Sequence, residues 1–236
     1  MKKTLETGLD ALGLDKSRIP LLERFAALML ERNQVMNLTA ITEPQDVASL
    51  HLLDSLALLP LAGLETESVV DVGTGAGFPG MPLAIARPSL HVTLLDSLRK
   101  RVDFLEEACR DLDLENTQCV CARAEEFAAE HRETFDAAVS RAVAALPVLC
   151  ELCLPLVRPG GRMFAMKSSH TEEEIRQSET AVSILGGQVA WVRDYTVPAT
   201  DVTHRLICIQ KVSPTPRRYP RRFPQIKKTP LGGAGR

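Results

Sequence analysis

Aromatic side chains are scarce in this sequence, 4% of 236 residues with one Trp and two Tyr. Its core must therefore be built mainly from Leu, Val, Ile and Ala. Long apolar runs are missing as well. The Leu-rich stretch 56–64 is cut by Pro60 and Gly63, far short of the ~20 residues a membrane helix needs. The opening MKKTLETGLD places Glu6 and Asp10 where a secretory signal would be continuously apolar, so a cytoplasmic protein is expected. Zinc-ligand spacing is absent too. Cys150-x-x-Cys153 and Cys119-x-Cys121 have no second Cys or His pair at finger spacing. Buried reduced thiols, in a chain without a metal, are the expectation. The remaining proportions, 45% hydrophobic and 25% charged, exclude a disordered or fibrous chain and suit one large domain with an appendage.

Acidic residues are missing from one segment. From Lys211 onward the chain carries Lys211, Arg217, Arg218, Arg221, Arg222, Lys227, Lys228 and Arg236 with no Asp or Glu, which leaves 20 basic against 30 acidic residues in 1–210. An acidic body with a basic tail points to an anionic partner met locally. The plain alternative is a solvated tail that aids solubility.

The first sixty residues read as helices. In 18–32, Leu21, Leu22, Phe25, Leu28 and Met29 share one face. A second helix is announced by Thr42-Glu43-Pro44-Gln45, with Thr42 as cap and Gln45 reaching back, and it runs to about Pro60. From Ser68 short apolar runs alternate with helical stretches. The runs are 69–72, 91–95, 119–121, 137–140, 163–166, 189–192 and 206–209; helices are expected over 81–86, 98–112, 142–157 and 171–185. This alternation predicts an α/β fold with a mostly parallel sheet covered on both faces. Such sheets hold ligands at the carboxyl ends of their strands. The expected divisions are 1–64, a helical extension; 65–212, the sheet domain; and 213–236, a basic Pro-rich tail.

The first strand ends in Asp71-Val72-Gly73-Thr74-Gly75-Ala76-Gly77-Phe78-Pro79-Gly80. Closely spaced glycines let the backbone turn sharply and approach a ligand. A dinucleotide fingerprint would need glycine where Phe78 stands and would seat a pyrophosphate at the helix start. Asp71 would repel that pyrophosphate, whereas a carboxylate suits an ammonium. S-adenosylmethionine, with an ammonium, a sulfonium and no phosphate, fits better than a nicotinamide dinucleotide. The second strand ends in Asp96, placed to accept the ribose hydroxyls of an adenosine. After the third strand come Arg123, Ala124 and Glu125, where an acid or amide could meet the adenine. After the fourth come Ser140 and Arg141, at the substrate edge.

These residues, together with Asn37-Leu38-Thr39, HLLDSL at 51–56, GFPGMPLAI at 77–85, LDSLRKR at 95–101, Pro159-Gly160-Gly161, Ala165-Met166-Lys167 and Tyr219-Pro220-Arg221-Arg222, resemble the bacterial small-subunit ribosomal RNA guanine-N7 methyltransferases. That family is also called glucose-inhibited division protein B. The resemblance covers most of the chain and implies a class I Rossmann-like methyltransferase domain preceded by helices. It implies methyl transfer from S-adenosylmethionine to N7 of a guanine in the decoding-region loop of 16S rRNA. By matching motif, Gly73 and Phe78 would contact the cofactor, Ala124 and Glu125 would border its adenine, and Arg141 would line the site. Phe223 and Ser168 stand where the family usually has glycine or a nearby glycine.

Guanine N7 has an in-plane lone pair and no proton, so its attack needs no general base, and none is nominated; His51, His91, His170 and His204 are read as structural or exposed. Orientation is the main source of rate. Arg123, Lys167 and Arg205, with the tail's Arg217, Arg218, Arg221 and Arg222, are candidates for holding RNA. The partner expected is 16S rRNA or the small ribosomal subunit, met by a monomer. Competing readings are a non-catalytic assembly factor that binds the same cofactor, a methyltransferase with another substrate, and a nicotinamide-dependent oxidoreductase, which Phe78 and Asp71 disfavour.

Overall fold

The structure, a computed structural model, describes residues 1–65 and 67–232. Arg236, counted with the basic tail, lies outside the described residues. Helices α1 (Lys2–Leu12) and α2 (Ile19–Met36) open the chain. The next helical stretch is not one α-helix. It comprises α3 (Pro44–Asp46), a π-helix (Val47–Leu53), α4 (Asp54–Leu56) and α5 (Leu58–Ala62). The cap expected at Thr42 is not formed either. Helix α3 starts at Pro44 behind Glu43, with no side-chain capping bond.

Strands and helices then alternate as β1 (Ser68–Val72), α6 (Gly80–Ala86), β2 (His91–Asp96), α7 (Arg99–Asp111), β3 (Thr117–Cys121), α8 (Ala124–Glu130), β4 (Phe135–Arg141), α9 (Leu146–Cys153), β5 (Val157–Ser168), α10 (Glu172–Ile184), β6 (Gly187–Thr196) and β7 (Thr203–Lys211). A short α11 (Phe223–Lys228) follows. Among the described residues, all seven strands lie in one sheet of order β3-β2-β1-β4-β5-β7-β6. Strands β1 to β5 pair in parallel, whereas β7 runs antiparallel to both β5 and β6. The connection 197–202 explains the reversal. It is closed by Val197 N–H donating to Val202 O at 2.8 Å, and it is too short for the dozen or more residues of a parallel crossover.

Successive residues along each strand point to opposite faces, and two cores result. Val69, Leu94, Val139 and Phe164 pack with Leu5 and Leu9 of α1, Leu22 and Phe25 of α2, Leu52 and Leu53, and Leu105 of α7. The N-terminal helices thus share a core with the sheet. Val70, Val72, Ala138, Met163 and Ile207 pack on the other face with Leu149, Val182, Tyr219 and Ile226. Cys109, Cys150, Cys153 and Cys208 are buried free thiols; Cys119 and Cys121 are free but half-buried.

The switch point of the sheet lies between β1 and β4, and the glycine loop leaves the carboxyl end of β1 there. Gly77 sits at φ +99°, and a Cβ added to it would meet Met81 Cγ at 2.7 Å, Leu105 Cδ2 at 2.9 Å and Phe25 Cζ at 3.0 Å. Gly75 also has positive φ, but a Cβ there would meet Gly73 O at 3.9 Å, an ordinary contact. One glycine is needed for space and conformation, the other for conformation alone. Gly77→Ala is therefore expected to cost more than ~2 kcal/mol, because overpacking adds to backbone strain. Gly75→Ala should cost about 1 kcal/mol. Urea unfolding of the two variants checks this order; equal losses would refute it.

Candidate active site

The glycine loop is tied to the end of β2. Gly73 and Thr74 both donate their amides to Leu95 O, at 2.8 and 3.1 Å. Gly75 N–H donates to Asp96 Oδ2 at 3.0 Å. Beneath the loop, Asp71 accepts from Thr74 Oγ1 at 2.6 Å and from Gly80 N at 2.7 Å. Asp71 is fully buried, so it buttresses the loop instead of standing at the crevice surface as a direct ammonium partner. Burial pushes its carboxyl up to about 6, and its Oδ1 has no hydrogen-bond partner among the described residues. A buried carboxylate with an unmet oxygen favours positive charge close by.

A crevice of about 130 Å³ opens above this junction, lined by Gly73, Asp96, Arg123, Ala124, Glu125, Val143, Leu152 and Phe223 among others. Four predicted cofactor residues, Gly73, Asp96, Ala124 and Glu125, thus share one wall system. Asp96 is almost fully buried; Oδ1 accepts from Leu98 N at 2.9 Å, and Arg101 approaches Oδ2 at 3.4 Å. Arg123, read from sequence as an RNA candidate, lies in the crevice, donates Nε–H to Glu125 at 2.7 Å and sits 4.3 Å over the Phe223 ring. Phe78 faces inward. Its ring stacks on His51 at 4.5 Å and against Phe25 at 5.5 Å, so it anchors the loop to the N-terminal helices. The donor set fits an adenosyl group bearing a cation: acids at the strand ends, an orphaned buried carboxylate oxygen, and loop amides already bonded. Among the described residues no group of three or more His, Cys, Asp or Glu is placed to hold a metal ion.

Arg141 belongs to the neighbouring cavity, about 570 Å³, which is lined by Ile41, Leu50, His51, Asp54, Met166, Lys167, Glu174, Val202 and His204 among others. The guanidinium donates to Asp54 Oδ2 and Leu50 O, both at 2.9 Å, and meets His51 Nδ1 at 3.1 Å. Asp54 is fully buried and also accepts from Tyr195 Oη at 2.8 Å, with His204 Nδ1 at 2.9 Å. Burial alone would raise Asp54, but the His204 hydrogen bond and Arg141 charge hold it below the usual carboxylate range. Burial, then the charge of Arg141, pushes His51 down to about 4, so the ring is neutral. Sequence reasoning missed this network. Its signal was the spacing of His51 and Asp54 in HLLDSL, three residues apart on one helical face.

The remaining RNA candidates separate by environment. Lys167 donates to Ala144 O and Glu174 Oε1, both at 2.6 Å. Arg205 is held between Asp194 and Glu172, each at 2.6 Å. Arg221 donates to both oxygens of Glu151, a fully buried acid on α9. Arg217, Arg218 and Arg222 are exposed. In the sequence Phe223 stands out only as a departure from the family's glycine pattern, and Val143 and Glu174 carry no motif that marks them.

Residues 18–202 match the family model for rRNA small subunit methyltransferase G, GidB. The chain is 45% identical over 235 residues to the ribosomal RNA small subunit methyltransferase G of Alkaliphilus metalliredigens, covering 98% of each. It is 48% identical over 221 residues to the protein of the same name from Lacticaseibacillus paracasei, covering 90% of this chain and 91% of that one. Among solved structures, TYW2 of M. jannaschii in complex with AdoMet matches with a TM-score of 0.52 at 17% identity, covering 63% of this chain and 70% of that one. That is a likeness of fold, the Rossmann-like α/β arrangement of methyltransferases. From the motifs, the strand order and these matches together, the chain belongs to the rRNA small subunit methyltransferase G family.

Proposed function

We propose that this chain transfers a methyl group from S-adenosylmethionine to N7 of a guanine in the decoding-region loop of 16S rRNA. The observation that carries the reading is the closed glycine loop. Amides that would otherwise cradle a pyrophosphate are bonded to Leu95 and Asp96, and carboxylates lie where that pyrophosphate would bring negative charge. A cationic donor is favoured by the same arrangement. When bound, the cofactor supplies an electrophilic methyl group on a positively charged sulfur.

In this reading Gly73, Asp96, Ala124 and Glu125 hold the adenosyl part, with Asp96 on the ribose hydroxyls. The larger cavity receives the guanine. Ile41, Leu50, Met166 and Val202 offer it apolar walls. Lys167, with three donors and two engaged, keeps one for the O6 acceptor. Arg141, fixed by Asp54, holds the boundary between the two sites, and no side chain takes a proton, because N7 has none to give. Catalysis is then orientation of the two reactants. The base is presented unstacked from its loop.

Residues 1–64 give Ile41, Leu50, His51 and Asp54 to the guanine side, 65–212 supply the rest of that cavity and most of the cofactor crevice, and 213–232 form the strap that we assign to the RNA. We assign RNA backbone contacts to Arg217, Arg218 and Arg222, whose charges are exposed, and take the single chain as the acting unit. Helices long and apolar enough to cross a membrane are absent among the described residues.

Asp96→Ala is expected to weaken S-adenosylmethionine binding at least tenfold by calorimetry, and unchanged binding would remove the ribose assignment. Labelled methyl should pass from the donor to small subunits, with the label mapping to N7 of a single guanine; label elsewhere would sink the substrate assignment. Replacing Arg217, Arg218 and Arg222 with Ala should flatten the salt dependence of RNA binding, by up to about two in the log–log slope. A slope equal to that of the parent chain would remove the strap from the RNA interface.

The buried His51 adds a pH dependence. Its folded value of about 4 lies below the ordinary 6.5, so between these values the unfolded chain binds the extra proton and stability falls as pH drops. This group alone removes about 2 kcal/mol between pH 6.5 and 5. Asp71, raised to about 6, opposes it. In the window from its ordinary value to 6 the folded chain binds the extra proton, so that contribution declines as pH rises. Urea unfolding at pH 7 and 5 should therefore show a smaller acid-side loss for His51→Gln than for the parent, and identical losses would refute a neutral buried His51.

A further inference from the structure

The C-terminal strap is docked, and it delivers one aromatic side chain to the cofactor crevice. Arg132, just past α8, donates to the carbonyl oxygens of Thr215, Pro216 and Tyr219, the last at 2.7 Å. Tyr219 and Ile226 are buried in the second core. Arg221 is locked on the buried Glu151 through its backbone N–H and its guanidinium. Lys211, fully buried, donates to Leu154 O at 2.7 Å and to Thr215 Oγ1. Between these anchors Phe223 stands half-buried and lines the crevice together with Asp96, Glu125 and Leu152. One ring face is occupied by the Arg123 guanidinium at 4.3 Å.

We propose that Phe223 is a cofactor-binding residue, whose ring forms the wall against which the adenine of the adenosyl donor lies, so that the basic strap is part of the cofactor site. The proposal rests on the adenosyl reading of the crevice given above. Three features of the crevice support it. Phe223 is the aromatic ring in a wall otherwise made of Arg123, acids, small residues and aliphatics, and a purine is held well by a π-face. Glu125 and the backbone of Ala122–Ala124 lie at the same crevice, so a base resting on the ring has polar groups at its edge. The ring opens α11, whose Ile226 is buried in the second core, and follows Arg221, which is locked on Glu151, so its position is set by the docked strap. The crevice, about 130 Å³, is also below the ~300 Å³ at the small end of ligand sites. Admitting adenosine therefore displaces one or more of the lining side chains Phe223, Val143 and Arg123.

Calorimetry with S-adenosylmethionine and with S-adenosylhomocysteine, on the full chain, tests this. Phe223→Ala should lose roughly 5- to 150-fold in affinity, the range that base–aromatic stacking gives. The loss should be equal for both ligands, because they share the adenine and differ at sulfur. Phe223→Tyr should bind as the parent does. Phe223→Leu, which keeps apolar volume without a π-face, should resemble Phe223→Ala and decides the matter if the alanine variant fails to fold. Parent-like binding by Phe223→Leu, or tighter binding by Phe223→Ala, would overturn the proposal while leaving the adenosyl reading intact. Failure of the parent chain to bind either ligand would overturn both.

Discussion

Where the first strand turns into its helix, three consecutive backbone N–H groups are drawn sideways onto the next strand. Gly73 and Thr74 share Leu95 O, and Gly75 reaches the carboxylate of Asp96. In a loop built to hold phosphate those donors converge on an anion and the helix start reinforces them. Here they are bonded within the protein, and the partner of one is itself negative. The loop therefore has the shape of a nucleotide-binding turn with the opposite electrostatic preference. The remaining features of the cofactor side follow from this geometry. Asp71 can be buried below the loop because Thr74 and Gly80 satisfy one oxygen, and Asp96 can hold both Gly75 N–H and Leu98 N–H while facing the crevice because its two oxygens serve different donors.

The second constraint is the ion pair of Arg141 and Asp54. Two buried charges cost more to desolvate than a bare pair returns, unless their other donors and acceptors are matched. In this protein they are matched from three directions: Leu50 O and His51 take guanidinium N–H groups, and Tyr195 and His204 close on Asp54. The π-helix over Val47–Leu53 matters here. Its wider turn brings His51 and Leu50 O to the same guanidinium while Asp54 begins the next helical turn. Pieces from the N-terminal helices, β4, β6 and β7 are thereby fixed at one point. That explains why the N-terminal helices share a core with the sheet and contribute walls to the larger cavity.

Periodicity and glycine spacing made the α/β alternation legible, along with the seven strands and the residues around the cofactor crevice. They failed where the outcome depended on partners far along the chain. The expectation of a mostly parallel sheet leaves the sense of β7 open, and the short connection after β6 decides it. The Thr42 cap was a local pattern displaced when Pro44 began the helix one residue later. Arg221 looked like its neighbours Arg217, Arg218 and Arg222, since nothing local marks which arginine will meet a buried Glu 70 residues away. Arg123 and Phe223 found each other across a hundred residues for the same reason. Short-range signals located the strand ends; long-range pairing decided which side chains remained available there.

That distinction bears on how charge should be read in this chain. A free basic tail would attract RNA with all of its cations but would lose its conformational freedom on binding. A docked strap has already lost that freedom, at the expense of the cations used to dock it. Arg221 and Lys211 face carboxylates and contribute little to the external field, whereas Arg217, Arg218 and Arg222 are held on a fixed surface. Preorganised cations meet a phosphate chain with less entropy to lose, so fewer of them suffice. In the proposed reading the acidic body acts in the same direction: it repels nucleic acid generally and leaves the strap as the favoured place of approach. The net charge of −2 is therefore the wrong quantity to consult. What governs encounter with an anionic partner is where unpaired positive charge is fixed relative to the cavity, and the pairing that withdraws Arg221 from solvent also holds its neighbours in place.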